Sequence, residues 1–360
     1  MKKTRIGIIG ANPERGWASM AHIPALKSLP GYEISALSNR NAANTEILSK
    51  TFGVANIVAG SEELAKSPDV DMILVAIRVP LHFDAVRTAI ENGKSVFSEW
   101  PLGKNLQETE KLTALAEEKN VKGYIGLQSR SVPAIRFIKD YIDQGNIGEV
   151  LSTSMIGSGI IYGEFTPKAN DYTVDPVNGA GMINVTFGNA ADALCYVLGE
   201  FSELNATTAT RRATTTIVED GDIIPMKIAD QVAVTGKLLS GAVASIHFRG
   251  GMFPGTNFFW EINGTKGDIQ ISAAGGSLAV FEPEIRISAG LNGPMEPTPV
   301  PQSYNLVSDY GLDYIPASVG QNYMLIQSGE APTFEDALLR HKMIDAVEKA
   351  ARDGSSQSYL

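Results

Sequence analysis

The stretch Arg5-Ile6-Gly7-Ile8-Ile9-Gly10-Ala11-Asn12-Pro13-Glu14-Arg15-Gly16-Trp17-Ala18 decides how the first third of the chain reads. A short apolar run reaches Gly10, a glycine-bearing turn follows, and Ala21-His22-Ile23-Pro24-Ala25-Leu26 then takes helical spacing. A strand, an unobstructed turn and a helix start let backbone N–H groups and the helix dipole meet a pyrophosphate. Gly10, Ala11, Gly16 and Trp17 are therefore candidate cofactor contacts. The loop is longer than G-x-G-x-x-G, so the motif alone also fits an ordinary βα turn. His22 reads as a helix-start residue with a satisfied hydrogen bond.

Outward from this stretch the pattern repeats. Strands are predicted over 5–10, 32–38, 71–77, 94–98 and 122–127, with amphipathic helical stretches over 41–52, 81–92 and 106–118. Met72-Ile73-Leu74-Val75-Ala76 is apolar throughout, as a parallel strand covered on both faces requires. Asn105 with Glu108 three residues later predicts a capped start for the helix over 106–118. Beyond about residue 148 the segments 149–161, 202–216, 228–239, 242–249, 258–263 and 267–272 read as longer, alternating strands of an antiparallel sheet. Helical patterns over 181–198, 302–327 and 333–353 accompany them.

Composition narrows the function classes. A chain of 360 residues exceeds one ordinary domain, and its charge of −10 opposes contact with nucleic acid or anionic lipid. No apolar run of bilayer-spanning length is present, and the apolar run at the N-terminus is too short for a signal peptide. A soluble, cytoplasmic protein is expected. Cys195 is the only cysteine, so an intrachain disulfide and a thiolate metal cluster are excluded; it reads as a small core residue, and no metal is expected.

The predicted strand ends carry the ligand chemistry. After the second strand, Leu37-Ser38-Asn39-Arg40-Asn41 offers a hydroxyl, amides and a guanidinium but no carboxylate. A carboxylate there would repel a 2′-phosphate, whereas Ser38, Asn39 and Arg40 could bind one, so NADP is preferred over NAD. The alternative for Arg40 is a solvated charge. In Ile77-Arg78-Val79-Pro80-Leu81-His82, Pro80 suits a helix start, and Arg78, Pro80 and His82 are candidate cofactor contacts; for His82 helix capping is at least as good a reading.

These residues together carry a resemblance. The motifs are Gly16-Trp17-Ala18, Ala21-His22-Ile23-Pro24, Val79-Pro80-Leu81-His82, Glu99-Trp100-Pro101-Leu102-Gly103, Gly126-Leu127-Gln128-Ser129-Arg130, Gly148-Glu149-Val150, Asn178-Gly179-Ala180-Gly181 and Pro332-Thr333-Phe334-Glu335. In this order they resemble the Gfo/Idh/MocA oxidoreductases, in the Gal80-like branch. The resemblance implies an α/β Rossmann NAD(P)-binding domain over 1–127. It also implies an α+β domain over 128–360, an open-faced antiparallel sheet with flanking helices and the last helix packing toward the first domain. Glu99, Trp100, Pro101 and Gln128 join the cofactor contacts, and Trp100, Arg130, Asn189 and Asp192 line the substrate pocket.

Active members move a hydride at the nicotinamide while a lysine and a histidine manage the hydroxyl proton. Here Trp100 stands at the lysine position and Asn189 at the histidine position, and neither titrates. A relocated acid or base is sought among Tyr162, Glu164, Lys168, Asp171, Tyr172 and Asp192, with Tyr162, Lys168 and Asp192 foremost. The expected function is an NAD(P)-dependent oxidoreductase acting on a sugar-like or other polyhydroxylated small molecule. The alternative is a non-catalytic cofactor-binding sensor or transcriptional co-regulator, and a third is a protein in which cofactor binding has lapsed. An open sheet face further predicts a homodimer or homotetramer.

Overall fold

Met72-Ile73-Leu74-Val75 is a strand buried at every position, and it sits inside a parallel sheet. In the computed structural model, which describes residues 2–39, 41, 44–290 and 292–360, that sheet contains β1 (Thr4–Ile9), β2 (Tyr32–Ser38), β3 (Ile57–Val58), β4 (Met72–Val75), β5 (Ser95–Glu99) and β6 (Gly123–Gly126). Their order is β3-β2-β1-β4-β5-β6, every pair parallel, so the direction of winding reverses between β1 and β4. Ligands bind at the carboxyl edge of such a reversal. The connecting helices are α1 (Ile23–Ser28), α2 (Thr45–Phe52), α3 (Gly60–Lys66), α4 (His82–Glu91) and α5 (Leu106–Glu118). A π-helical turn, Ala18–His22, leads into α1.

The expected cap of α5 is present but shifted. Asn105 Oδ1 accepts from the Glu108 N–H at 2.9 Å, while the Glu108 carboxylate accepts from Lys104 N–H at 3.0 Å, one residue earlier than the usual reciprocal bond. β3 and α3 were not predicted, because a two-residue strand shows no alternation to read.

The chain divides into two units, residues 1–127 with 306–338, and residues 128–305 with 339–360. The helix that returns to the first unit is Tyr314–Ser328, whose Val319 and Tyr323 join Ile8, Leu26, Leu37, Leu74 and Phe97 in one buried cluster. The last helix, Phe334–Asp353, begins in the first unit and belongs to the second after Leu338.

The second unit opens with α6 (Gln128–Ser131) and α7 (Pro133–Asp143) and continues through β7 (Val150–Ser158) and β8 (Phe165–Thr166). A second π turn, Ile183–Phe187, leads into α8 (Gly188–Leu198). Then come β9 (Phe201–Ala209), β10 (Thr214–Ile217), β11 (Ile223–Pro225), β12 (Gln231–Leu238), β13 (Val243–Arg249), β14 (Phe258–Gly264), β15 (Gly267–Ala273), β16 (Glu284–Ala289) and β17 (Glu296–Pro297). The large sheet has the order β17-β16-β15-β14-β7-β13-β12-β9. It is antiparallel except that β7 runs parallel to β13, a feature that strand patterning does not reveal. One face is covered, Phe187 meeting Phe248 edge-on at 5.9 Å. The opposite face leaves Ile156 and Val243 exposed.

The single strand predicted over 202–216 is two strands in two sheets. The buried Asp230 carboxylate accepts from the N–H groups of Arg211 and Arg212 at 2.7 and 2.9 Å, which ends β9 and sends β10 into a small sheet of order β11-β10-β8. Among the described residues no helix is long and apolar enough to cross a membrane, and no cluster of His, Cys, Asp or Glu could hold a metal ion.

Candidate functional site

At the carboxyl edge of the parallel sheet, β1 runs into Gly10 at φ +114°, where an added Cβ would lie 2.2 Å from the Ala76 carbonyl oxygen. Only glycine fits between β1 and the end of β4. Gly16, at φ +101°, faces open space. Between them Asn12 folds the loop: its Oδ1 accepts from the N–H groups of Glu14 and Arg15 at 2.9 and 3.2 Å, and its own N–H donates to Ser19 Oγ at 3.1 Å. Those donors are spent on the loop itself. The Trp17 indole N–H, in contrast, is buried without a hydrogen-bond partner. A buried orphan donor beside an open glycine turn fits a site that a phosphate-bearing ligand completes.

The end of β2 is less open than its residues suggested. Asn39 and Asn41 bond each other, the Asn41 N–H donating to Asn39 Oδ1 at 3.1 Å and the Asn39 amide to the Asn41 carbonyl. The Asn39 side chain is thus committed to a local turn, while Ser38 is half-buried at the strand end. Arg40 lies outside the described residues.

Arg78 is exposed at the end of β4, and Pro80 sits in the short helical turn Val79–Leu81 before α4. His82 is corrected from ligand contact to staple. Its Nδ1 lies 2.8 Å from the Pro101 carbonyl oxygen and its Nε2 2.9 Å from that of Ile77, so the ring ties the ends of β4 and β5 together and has no nitrogen left for a ligand. Burial holds its pKa below the ordinary imidazole value.

Glu99 ends β5, the Trp100–Pro101 peptide is cis, and Trp100 is 6% exposed. Glu99 Oε1 is 2.8 Å from Nε2 of His22, whose Nδ1 is 2.8 Å from the Tyr323 hydroxyl. Tyr32 closes the chain by donating to the Tyr323 carbonyl at 2.6 Å. Burial, then the neighbouring Glu99 charge, push the Tyr323 phenol well above its ordinary pKa. His22 thus has the satisfied bonds expected of it, and its link to Glu99 was not foreseen.

In the second unit, Asn189 and Asp192 both reach α6 from α8. Asn189 Oδ1 accepts from the Ser129 N–H at 3.2 Å, and Asp192 accepts from Arg130 Nε at 2.7 Å and from Arg340 Nε at 3.2 Å. Arg340, fully buried, continues to Glu200 at 2.8 Å, and Glu200 accepts from the Tyr359 hydroxyl. Gln128, at the start of α6, is buried.

The three foremost acid or base candidates do not converge. Asp192 is 0% exposed and both oxygens are committed to guanidinium groups, which makes it an anchor rather than a proton carrier. Tyr162, also buried, donates to the Ala180 carbonyl at 3.1 Å, and burial pushes its pKa up. Lys168 is exposed and ion-paired with Asp220. With Asp171 and Tyr172 it lines a cavity of about 340 Å³ whose floor is Ile217 and Ile224. Arg340 escaped the sequence reading, although an arginine on the face shared by Ala337 and Ile344 was the available signal.

Residues 4–127 match the sequence model of an oxidoreductase family with an NAD-binding Rossmann fold, and residues 133–273 match that of the Gal80p C-terminal domain. The chain is 28% identical to the galactose/lactose metabolism regulatory protein GAL80 of Saccharomyces cerevisiae, covering 98% of this chain and 93% of that protein. A crystal structure of a Gal80p super-repressor mutant superposes with a TM-score of 0.89 over 99% of this chain and 97% of the other, at 26% identity. The dehydrogenase AclE of Aspergillus oryzae is 27% identical over 99% of both chains. Levoglucosan dehydrogenase in complex with NADH and L-sorbose shares the fold, with a TM-score of 0.86 over the full length of both chains at 20% identity.

Proposed function

We propose that this chain, which belongs to the Gfo/Idh/MocA oxidoreductase family in its Gal80-like branch, is an NAD(P)-dependent oxidoreductase acting on a sugar-like or other polyhydroxylated small molecule. The observation that carries the cofactor part is the loop over 10–17. Gly10 has no room for a Cβ, Gly16 faces open space, and the buried Trp17 indole N–H lacks a partner. Gly10, Ala11, Gly16 and Trp17 would hold the pyrophosphate, with Glu99, Trp100 and Pro101 shaping the nicotinamide end. Bound there, the nicotinamide supplies the hydride acceptor or donor.

NADP is favoured over NAD because the end of β2 carries Ser38, Asn39 and Arg40 and no carboxylate. Trp100, almost fully buried, would fill the pocket beside the nicotinamide. A cytoplasmic homodimer or homotetramer joined through the open sheet face completes the proposal. Titration with NADPH and NADH, followed by tryptophan fluorescence or calorimetry, tests the site. Micromolar binding with NADPH the tighter ligand is expected; an Arg40→Ala variant that kept the same preference would remove the NADP assignment.

A second reading has an observation of its own. Trp100 and Asn189 stand where active relatives carry proton-transfer groups, and the chain is similar over nearly its whole length to a metabolic regulatory protein. On that reading the protein binds the cofactor as a signal and catalyses nothing. Cofactor binding without turnover of any polyol would select it.

A further inference from the structure

We propose that the Glu99 carboxylate, backed by His22 and Tyr323, accepts the proton released when the substrate hydroxyl is oxidised, in place of the lysine that Trp100 displaces. This rests on the oxidoreductase reading. Glu99 is the last residue of β5, at the sheet edge where ligands lie, and 15% of its side-chain surface is exposed while that of His22 is 0%. One end of the pair therefore reaches a ligand and the other is sealed in the core.

The sealed end is built to take a proton. With one proton on the ring, the Tyr323 hydroxyl donates to Nδ1 and Nε2–H donates to Glu99. With two, Nδ1–H donates to the same hydroxyl, which rotates to accept. Both states keep the Nδ1–hydroxyl and Nε2–carboxylate contacts in place. The other candidates lack this capacity: His82 faces two carbonyl oxygens, Tyr162 is tied to Ala180, and Asp192 lies between two guanidinium groups.

The step balances. The substrate O–H bond breaks and its proton passes to Glu99, the C–H pair of electrons leaves as hydride to the oxidised nicotinamide, and a carbonyl forms. The proton stays on the Glu99–His22 pair until water removes it. Glu99 touches the reacting hydroxyl; His22 and Tyr323 are positioning residues.

Glu99→Gln should lower kcat by at least about 10²-fold, with the NADPH dissociation constant within about threefold of wild type, and formate should partly rescue Glu99→Ala. A readout independent of turnover is the proton count on cofactor binding, measured by calorimetry in buffers of different ionisation enthalpy. Oxidised cofactor places a positive ring beside the pair and reduced cofactor a neutral one, so the proton counts of the two should differ, and Glu99→Gln should abolish the difference. Should Glu99→Gln fail to fold, Glu99→Asp is expected to lose turnover and keep the difference in proton count. Unchanged kcat and unchanged proton count in Glu99→Gln overturn the inference alone. Wild-type binding without turnover overturns the oxidoreductase reading and with it the acceptor role, whereas turnover that survives Glu99→Gln overturns the acceptor role alone.

Discussion

Asp192 accepts from Arg130 on one side and from the buried Arg340 on the other, with no exposed surface, so its charge compensates the part-buried Arg130 and shares Arg340 with Glu200. Asp192→Asn should destabilise the fold by about 3–5 kcal/mol in urea unfolding, because breaking a buried pair strands the remaining charge. A loss below about 1 kcal/mol would contradict that role. At Trp100 the opposite change is informative: Trp100→Lys should raise turnover by about 10²-fold if proton transfer limits the reaction. His341 carries a pH signature. Burial lowers its pKa to about 3, so as pH falls below the ordinary value of 6.5 the unfolded chain binds a proton and the folded one does not. Stability present above that value is therefore lost as pH falls toward 3, by up to about 1.4 kcal/mol per pH unit, and His341→Gln should flatten that slope in chemical unfolding measured at several pH values.

Among the elements, the turn between β1 and α1 is the proposed cofactor site, and its geometry makes a sharp prediction. Gly10→Ala places a methyl group 2.2 Å from the Ala76 carbonyl oxygen at φ +114°, so NADPH affinity should drop at least about tenfold while far-ultraviolet dichroism is preserved. Affinity within twofold of wild type would mean that the loop does not hold the cofactor. Elements whose signal is local were legible in the sequence. β2 and α5 begin and end where alternation and the Asn105 cap placed them, at Tyr32–Ser38 and Leu106–Glu118. What depends on distant partners was not. The break after β9 is made by Asp230, about one hairpin further on, and the parallel pairing of β7 with β13 joins segments that read identically in either direction. The same limit applies to the site: Gly10 and Gly16 announce themselves, whereas the partners of His22 lie 77 and 301 residues away in sequence.

At the scale of the whole molecule, the open face of the large sheet and the tryptophan at position 100 frame the two proposals about assembly and activity. Ile156 lies opposite His247 and Phe259 on neighbouring strands, and with Val243 it leaves exposed apolar surface among Ser154, Ser245 and Thr235. If this face joins two copies, Ile156→Arg should shift the protein from dimer or tetramer toward monomer in light scattering; an unchanged mass would place the interface elsewhere. On the proposed reading the glycine loop holds the cofactor, Trp100 and Asn189 stand where proton-transfer groups are expected, and Glu99, 2.8 Å from His22, would supply a replacement. The measurement that bears most directly on this account is turnover of a sugar and cyclitol panel with oxidised NADP and NAD, followed at the absorbance band of the reduced nicotinamide. The account predicts cofactor reduction with at least one polyol, abolished in Glu99→Gln. Saturable cofactor binding with no reduction by any member of the panel would contradict it and assign the protein to regulation.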